Sequence, residues 1–81
     1  MYFVYILQSR VDRSLYIGQT SNLDERLIRH NGKREQSTKA HAPYLLLYTE
    51  QFEKRSDAIR RENQLKSYKG GEALKKLINL E

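Results

Sequence analysis

The chain has 81 residues, which is enough for one hydrophobic core and predicts a single domain over residues 1–81. It contains no cysteine, and this excludes a disulfide framework and a thiolate metal site. Its apolar runs are too short to cross a bilayer, and its first residues lack the pattern of a signal peptide. We therefore expect a cytoplasmic protein that does not associate with a membrane.

The formal net charge is +5, and the basic excess lies in the C-terminal half. Between Lys54 and Lys76 there are eight Lys and Arg side chains against three acidic ones, so this window alone carries +5. Such a distribution suits a polyanionic partner, because each neutralised phosphate releases condensed counterions. A solvated helical face is the alternative, and charge alone favours that alternative.

The first elements in the chain are two strands and a helix. Residues 2–8 are β-branched and aromatic without alternation, which predicts a strand covered on both faces. Residues 9–14 are polar and turn-forming, and 15–19 has the composition of a second strand, so the two strands form a hairpin. Thr20, Ser21 and Asn22 are three successive N-cap candidates, and Asn22 with a glutamate three residues later also has the capping-box spacing. They predict a helix from about 22 to 31 that ends at an Asn-Gly pair.

The second half of the chain begins with a polar loop at 32–42, where we expect substrate choice to be made. A third strand over Tyr44–Tyr48 follows Pro43. Ser56 is a good N-cap for a helix from about 57 to 68, which a glycine pair ends. A final amphipathic helix contains Ala73, Leu74, Leu77 and Ile78.

The resulting order, β-β-α-β-α-α, predicts an α+β fold with a small three-stranded antiparallel or mixed sheet flanked by helices. The hairpin makes the first two strands antiparallel, and the helical crossover leaves the second and third strands pointing the same way. The first strand then fits between them, in the spatial order 2-1-3. That position explains why it is the strand without alternation.

The second helix carries a carboxylate in its predicted inward stripe, which runs Ala58, Ile59, Glu62, Leu65. A charged group among core positions is costly unless it meets a cation, a metal or a satisfied hydrogen-bond network. Two interpretations stay open. Glu62 is a functional group, or it pairs with Arg60, Lys66 or an arginine of a neighbouring element.

The first helix places two polar side chains along one border of its buried side. Leu23 and Leu27 define that side, while Arg26 and His30 are four residues apart and emerge together at the rim of the sheet. Arg26 could hold a phosphate through its bidentate fork, and His30 could move a proton or bind a phosphate oxygen. The alternative is that both side chains snorkel from a helix edge, which for His30 alone is the better interpretation.

These residues follow one another in a recognisable order. Val4-Tyr5-Ile6 is followed by Tyr16-Ile17-Gly18, then Gln19-Thr20-Ser21-Asn22-Leu23, Arg26 and His30, with Glu62 on a later helix. This order closely resembles the GIY-YIG nuclease superfamily over nearly the whole chain. It is most similar to the short single-domain bacterial members of the UPF0213 type.

The resemblance implies metal-assisted hydrolysis of a nucleic-acid backbone in DNA repair or processing, with DNA favoured over RNA and Mg²⁺ or Mn²⁺ as cofactor. Tyr5 and Tyr16 match the tyrosines of the two half-motifs, one of which activates or positions the attacking water. Arg26 matches the arginine that stabilises charge on the phosphate, and His30 an auxiliary histidine. Glu62 matches the metal-binding glutamate. Further nucleic-acid contacts are expected at Gly18, Gln19, Lys39, Lys66 and Lys69.

The chain departs from the family pattern at three places. Phe3 replaces the glycine that opens the first half-motif, and Gln19 stands where several members carry lysine. Asn79 is the candidate in the last helix for a late asparagine that many members have near the metal. No second carboxylate lies at a matching place, so a two-metal mechanism is not supported.

Two other functions compete with a nuclease. One is a non-catalytic nucleic-acid-binding module, motivated by the replaced glycine and by the lack of a targeting domain. The other is an adaptor whose basic C-terminal half docks on an acidic protein. For each we expect a monomer, and a partner protein could supply targeting.

Overall fold

The structure is a computed structural model of the chain, and it describes residues 1–31, 43–68 and 71–78, apart from the side chain of His30. The elements follow the predicted order: β1 (Tyr2–Ser9), β2 (Leu15–Thr20), α1 (Leu23–Asn31), β3 (Tyr44–Phe52), α2 (Arg55–Ser67) and α3 (Glu72–Leu77). None of the helices in these residues is long and apolar enough to span a membrane.

The three strands form one sheet in the order β2-β1-β3, as predicted. The central strand β1 runs antiparallel to both neighbours, so the sheet is antiparallel throughout and β2 and β3 point the same way. Strand β3 continues to Phe52, four residues beyond the predicted Tyr48, because it stays paired with β1 as far as Tyr2. The three consecutive polar residues at the start of that extension, Thr49, Glu50 and Gln51, hid it from the apolar pattern.

Strand β1 is buried on both faces, which confirms the prediction from its lack of alternation. Four successive side chains, Val4, Tyr5, Ile6 and Leu7, are at most 1% exposed. Since successive side chains point to opposite faces of a sheet, the strand supplies two cores. One contains Val4 and Ile6 with Ala58, Leu65, Leu74 and Ile78 from the region of α2 and α3. The other contains Tyr5, Leu7 and Tyr44, against which Tyr16, Leu23 and Leu27 pack.

Helix α1 is capped by Asn22, the one of the three predicted candidates that has the capping-box spacing. The Glu25 N–H donates to Asn22 Oδ1 at 3.1 Å, and the Asn22 N–H donates to Thr20 Oγ1 at 3.1 Å. At the other end, Asn31 Oδ1 accepts a hydrogen bond from the Tyr44 N–H at 2.6 Å. Asn31 therefore joins the end of α1 to the start of β3, a role that the predicted Asn-Gly helix stop did not include.

Helix α2 differs from its prediction in two respects. It begins at Arg55, and its N-cap is Lys54, which makes no side-chain capping hydrogen bond. The prediction of Ser56 as N-cap was therefore wrong, because Ser56 lies in the first turn of the helix. Ile59 was predicted to face inward but is 38% exposed, whereas Ala58 and Leu65 are fully buried. The stripe of α2 side chains that faces the sheet is therefore narrower than predicted.

An ion pair joins α2 to β3. Arg61 Nε donates to Glu50 Oε1 at 3.0 Å, and Arg61 Nη2 donates to Glu50 Oε2 at 2.9 Å. The Tyr48 hydroxyl donates to the same carboxylate, and Arg61 Nη1 donates to Gln64 Oε1 at 2.9 Å. Glu50 lies opposite Val4 and Tyr48 opposite Ile6, so both side chains point to the face that α2 covers.

The surroundings of this cluster shift the pKa of each of its members. Burial opposes ionisation of Glu50, but hydrogen bonds from Arg61 and Tyr48 outweigh it and lower the pKa of the carboxyl. The hydrogen bond to Glu50 raises the pKa of Arg61. Burial and then the Glu50 carboxylate raise the pKa of Tyr48. All three groups thus keep their neutral-pH protonation states over a wider range.

We predict that Arg61→Leu lowers the free energy of unfolding by about 1–3 kcal/mol, because it leaves a shielded carboxylate without its charged donor. The Arg61 and Glu50 side chains are 23% and 21% exposed. Urea denaturation measures the change. Arg60→Leu is the matched control, since Arg60 is 81% exposed and contacts Asp57 at only 3.8 Å. Equal losses in the two variants would contradict a specific role for Arg61.

The lowered pKa of Glu50 also predicts a pH dependence. A carboxyl whose folded pKa lies below its unfolded pKa, about 4.3 for Glu, stabilises the fold above that value. Its contribution is lost as the pH falls through the folded pKa. Glu50→Gln should therefore be less stable than the parent chain at neutral pH, and this difference should shrink below about pH 4. Urea midpoints across that range test the prediction, and a constant difference would contradict it.

Candidate active site

The two motif tyrosines lie on the same face of the sheet. Tyr16 pairs opposite Leu7, and Tyr5 pairs opposite Gly18. The rings of Tyr5 and Tyr16 are stacked, with centroids 6.3 Å apart and an interplanar angle of 29°. Tyr5 is 1% exposed, whereas Tyr16 is half-buried. The fold thus brings together two residues that are eleven positions apart, and of the two Tyr16 is the more accessible.

The side chain of Tyr5 lies directly over Gly18. A Cβ atom at position 18 would lie 2.5 Å from the Tyr5 hydroxyl oxygen and 2.7 Å from its Cζ atom. Side chains of directly opposed residues project from the same face of a sheet, so any residue larger than glycine would meet the ring. The glycine marks a close approach, as a glycine in a strand often does. The absence of a side chain at Gly18 therefore leaves the space that the Tyr5 ring occupies over β2.

A polar cleft of about 280 Å³ lies where β2 ends. It is lined by Tyr2, Gln19, Thr20, Ser21, Arg26 and Arg55. Arg26 comes from α1 and is half-buried, as predicted for the border of the stripe defined by Leu23 and Leu27. Gln19 follows Gly18 directly, so the cleft begins one residue beyond the position that Tyr5 covers. The fold places Arg26 beside the second half-motif.

Glu62 lies on the other face of the sheet. Helix α2 packs against Val4 and Ile6, while Tyr5 belongs to the opposite core. The Glu62 side chain is 17% exposed, and its Oε2 is 2.6 Å from Lys66 Nζ. Pairing with Lys66 was one of the alternatives that the sequence left open. It offsets the cost of the shielded carboxylate and does not by itself identify a function.

The position of Arg55 on α2 shows how far Glu62 lies from the cleft. The two residues are seven positions apart on α2, so they lie on the same side of the helix, separated by about 10 Å along its axis. Arg55 lines the cleft, and α2 contacts both β2 and β1. A site that uses Tyr5, Arg26 and Glu62 together must therefore extend around the edge strand β2, with groups supplied from both faces.

The donor set for a metal is small. Among residues 1–31, 43–68 and 71–78, no group of three or more His, Asp or Glu side chains is placed to hold a metal ion. Mg²⁺ does not need such a cage, because it binds through one or two carboxylates together with waters and substrate phosphates. Glu62 fits this mode as a single carboxylate. Lys66 would compete with the ion for it.

Several predicted positions lie outside the described part of the chain. They are Lys39, Lys69, Asn79, the loop at 32–42 and the side chain of His30, whose backbone belongs to α1. Their roles stay predictions. Of the other predicted nucleic-acid contacts, Gln19 lines the cleft, Gly18 lies under Tyr5, and Lys66 contacts Glu62.

Four residues that line the cleft, Tyr2, Thr20, Ser21 and Arg55, were not predicted for the site. Thr20 and Ser21 belong to the run that carries the family resemblance, but no role was predicted for them there. Tyr2 belongs to an apolar run and gave no signal. Arg55 did give a signal in the sequence, because a cation in the first turn of a helix interacts unfavourably with the helix dipole. With the N-cap misassigned to Ser56, however, Arg55 fell outside the helix.

A family model of the GIY-YIG catalytic domain matches residues 1–75. The chain belongs to the GIY-YIG family. This places it in a nuclease superfamily and confirms the resemblance found in the sequence. The match includes every residue of the two half-motifs, together with Arg26, His30 and Glu62.

Its relatives include UPF0213 proteins from bacteria and an archaeon. One from Staphylococcus haemolyticus is 40% identical over 75 residues, which cover 91% of this chain and 90% of the relative. One from Natronomonas pharaonis is 37% identical over 67 residues, which cover 82% and 78%. The solution NMR structure of a UPF0213 protein from Bacillus halodurans is 33% identical, with a TM-score of 0.46 and coverage of 91% and 92%.

We predict that Gly18→Ala destabilises this GIY-YIG domain by about 1–3 kcal/mol, because the added methyl group overlaps the buried Tyr5 ring. Urea denaturation of the variant gives the change. The same substitution in a Tyr5→Leu background should cost much less, since leucine does not extend over position 18. Additive effects of the two substitutions would contradict the proposed contact.

Proposed function

We propose that this GIY-YIG domain is a metal-dependent endonuclease that hydrolyses a phosphodiester bond of DNA or RNA. The observation that carries the proposal is the placement of the Arg26 cleft directly after the second half-motif on β2, where Tyr5 stacks on Tyr16 and covers Gly18. The Tyr16 hydroxyl and the Arg26 guanidinium group are thus supplied by the edge strand β2 and by the helix that follows it. A nuclease needs both functions at one phosphate.

Arg26 is proposed to bind the scissile phosphate. Phosphodiester hydrolysis builds negative charge on the equatorial oxygens, and a guanidinium group can neutralise that charge through two parallel hydrogen bonds. Arg26 lies in a cleft with Ser21, whose hydroxyl can donate to a phosphate oxygen, and with Thr20, which donates its hydroxyl to the Asn22 carbonyl. Thr20 also accepts a hydrogen bond from the Asn22 N–H, which stabilises the turn between the cleft and α1.

The two tyrosines are proposed to have different roles. Tyr16 is the more accessible, so we assign it the contact with the attacking water. Tyr5 is nearly fully buried and stacks on Tyr16, so we assign it the orientation of Tyr16. This division follows from exposure and from the stacking geometry. Stacking on a buried ring limits the orientations that the Tyr16 ring can adopt.

Glu62 is proposed to hold the metal through a carboxylate oxygen, with waters and the substrate completing the coordination. When bound, Mg²⁺ supplies charge neutralisation at the leaving oxygen. Lys66 must release the carboxylate or share it when the ion binds. The chain's own part in this step is to hold the Glu62 carboxylate partly shielded from solvent.

A non-catalytic nucleic-acid-binding module is the second candidate. The observation that favours it is the short distance between Lys66 Nζ and Glu62 Oε2, which places a cation on the proposed metal ligand. Phe3 in place of the motif glycine supports it as well. In this alternative the cleft and the basic helices bind a nucleic acid without cutting it.

We predict that the purified chain cuts labelled DNA or RNA in the presence of Mg²⁺ or Mn²⁺ and not in EDTA. Arg26→Ala and Glu62→Gln should each lower kcat by about 10²-fold or more, because each removes charge stabilisation of the transition state. Tyr16→Phe should lower kcat more than Tyr5→Phe does. Single-turnover assays on single-stranded, duplex and branched substrates measure these rates.

Arg29→Ala is the matched control, since Arg29 lies on the same helix as Arg26 and contacts Glu25 at 3.7 Å on the surface. Its rate should stay within about 3-fold of the parent chain. The proposal is wrong if no substrate is cut under any of these conditions, or if Arg26→Ala and Glu62→Gln cut as fast as Arg29→Ala. Binding without cleavage, unchanged in Glu62→Gln, would support the second candidate.

A further inference from the structure

The cleft at the end of β2 contains two arginines that come from different helices. Arg26 belongs to α1, which packs on the face of Tyr5 and Leu7. Arg55 belongs to α2, which packs on the face of Val4. Both helices begin at this end of the sheet, so two guanidinium groups from opposite faces line one small space.

The rest of the cleft suits an anion. Its other four lining residues contribute three hydroxyls and one amide: Tyr2, Gln19, Thr20 and Ser21. No carboxylate is among the described residues that line it. Its volume of about 280 Å³ lies just below that of typical ligand clefts, which is about 300–1,000 Å³. A space of this size and polarity fits a phosphodiester unit better than an apolar group.

The contacts of Arg55 differ from those of the other arginines of α2. Within the described part of the chain it makes no hydrogen bond or ion pair. On the same helix, by contrast, Arg60 contacts Asp57 and Arg61 binds Glu50. Arg55 also lies in the first turn, where the helix dipole disfavours a cation. Among residues 1–31, 43–68 and 71–78, neither an ion pair nor a gain in helix stability therefore accounts for an arginine at this position.

We infer that the cleft holds a second phosphate of the nucleic-acid strand, with Arg55 as the residue that binds it. Arg26 binds the scissile phosphate and Arg55 binds a neighbouring phosphate of the same strand. The inference deepens the proposed function and rests on it for the identity of the ligand. Arg55 fixes the register of the strand over the tyrosines and takes no part in bond cleavage.

The test measures binding of fluorescein-labelled short DNA and RNA, single-stranded and duplex, to the whole chain in EDTA. Fluorescence anisotropy is followed between about 50 and 200 mM salt. We expect Arg55→Ala to weaken binding about 5- to 20-fold and to reduce the slope of log K against log salt by about 1, the loss of one phosphate contact. Arg55→Lys keeps the charge, so its slope should match the parent while its affinity falls.

Arg60→Ala is the matched control on the same helix, and it should change affinity by less than about 2-fold. Circular dichroism and urea midpoints establish that each variant is folded, which is expected because both side chains are exposed. The inference is overturned if Arg55→Ala and Arg60→Ala give the same affinities and slopes. It is also overturned if the chain binds none of the probes.

Cleavage assays separate this inference from the endonuclease proposal. If no probe is cut and Arg55→Ala still lowers the slope, the endonuclease proposal fails and the second phosphate site stands. If probes are cut, Arg55→Ala should raise KM by the factor seen in binding and leave kcat within about 3-fold, unlike Arg26→Ala. A fall in kcat with unchanged KM would overturn a binding role for Arg55.

Discussion

Burial of both faces of β1 is the constraint that places the other elements. A strand with apolar side chains on both faces must be covered from both sides, so α1 packs on one face while α2 and α3 pack on the other. It must also be central, which leaves β2 and β3 as edge strands. Both helices that contribute arginines to the cleft begin at the same end of the sheet because of this arrangement.

The candidate site extends along the edge strand β2. Tyr5 reaches it from the central strand, passing over Gly18, and stacks on Tyr16 of the edge strand itself. Arg26 lies just beyond the end of that strand, and Glu62 lies on the helix behind it. A substrate that runs along this edge can meet groups from both faces. The proposed active site can therefore draw its residues from elements on both faces of the sheet.

Two arginines of α2, Arg61 and Arg55, differ in what their side chains contact. Arg61 is part of the fold, because its fork binds Glu50 and holds the helix against β3. Arg55 lines a polar cleft and has no such partner among the described residues. The net charge of the C-terminal half is therefore a poor guide to function. Which cation binds a ligand depends on which ones the fold has already neutralised.

The local pattern of the sequence determined most of the elements, the strand order and the residues of the family motif. Apolar runs, the Asn22 cap and the hairpin turn act over a few neighbouring residues, so they can be recognised without the fold. The two half-motifs, Arg26 and Glu62 were found in the same way, by spacing along the chain. The structure confirmed the strand order and the cap, and it corrected the start of α2.

Only the tertiary structure decided which side chains meet. The contact of Tyr5 with Gly18, the Arg61–Glu50 pair and the sharing of one cleft by Arg26 and Arg55 all join residues distant in sequence. Sequence spacing gives the period of a helix or strand and not its neighbours across the sheet. Those neighbours depend on register and on which face each helix covers, and burial of β1 fixes both.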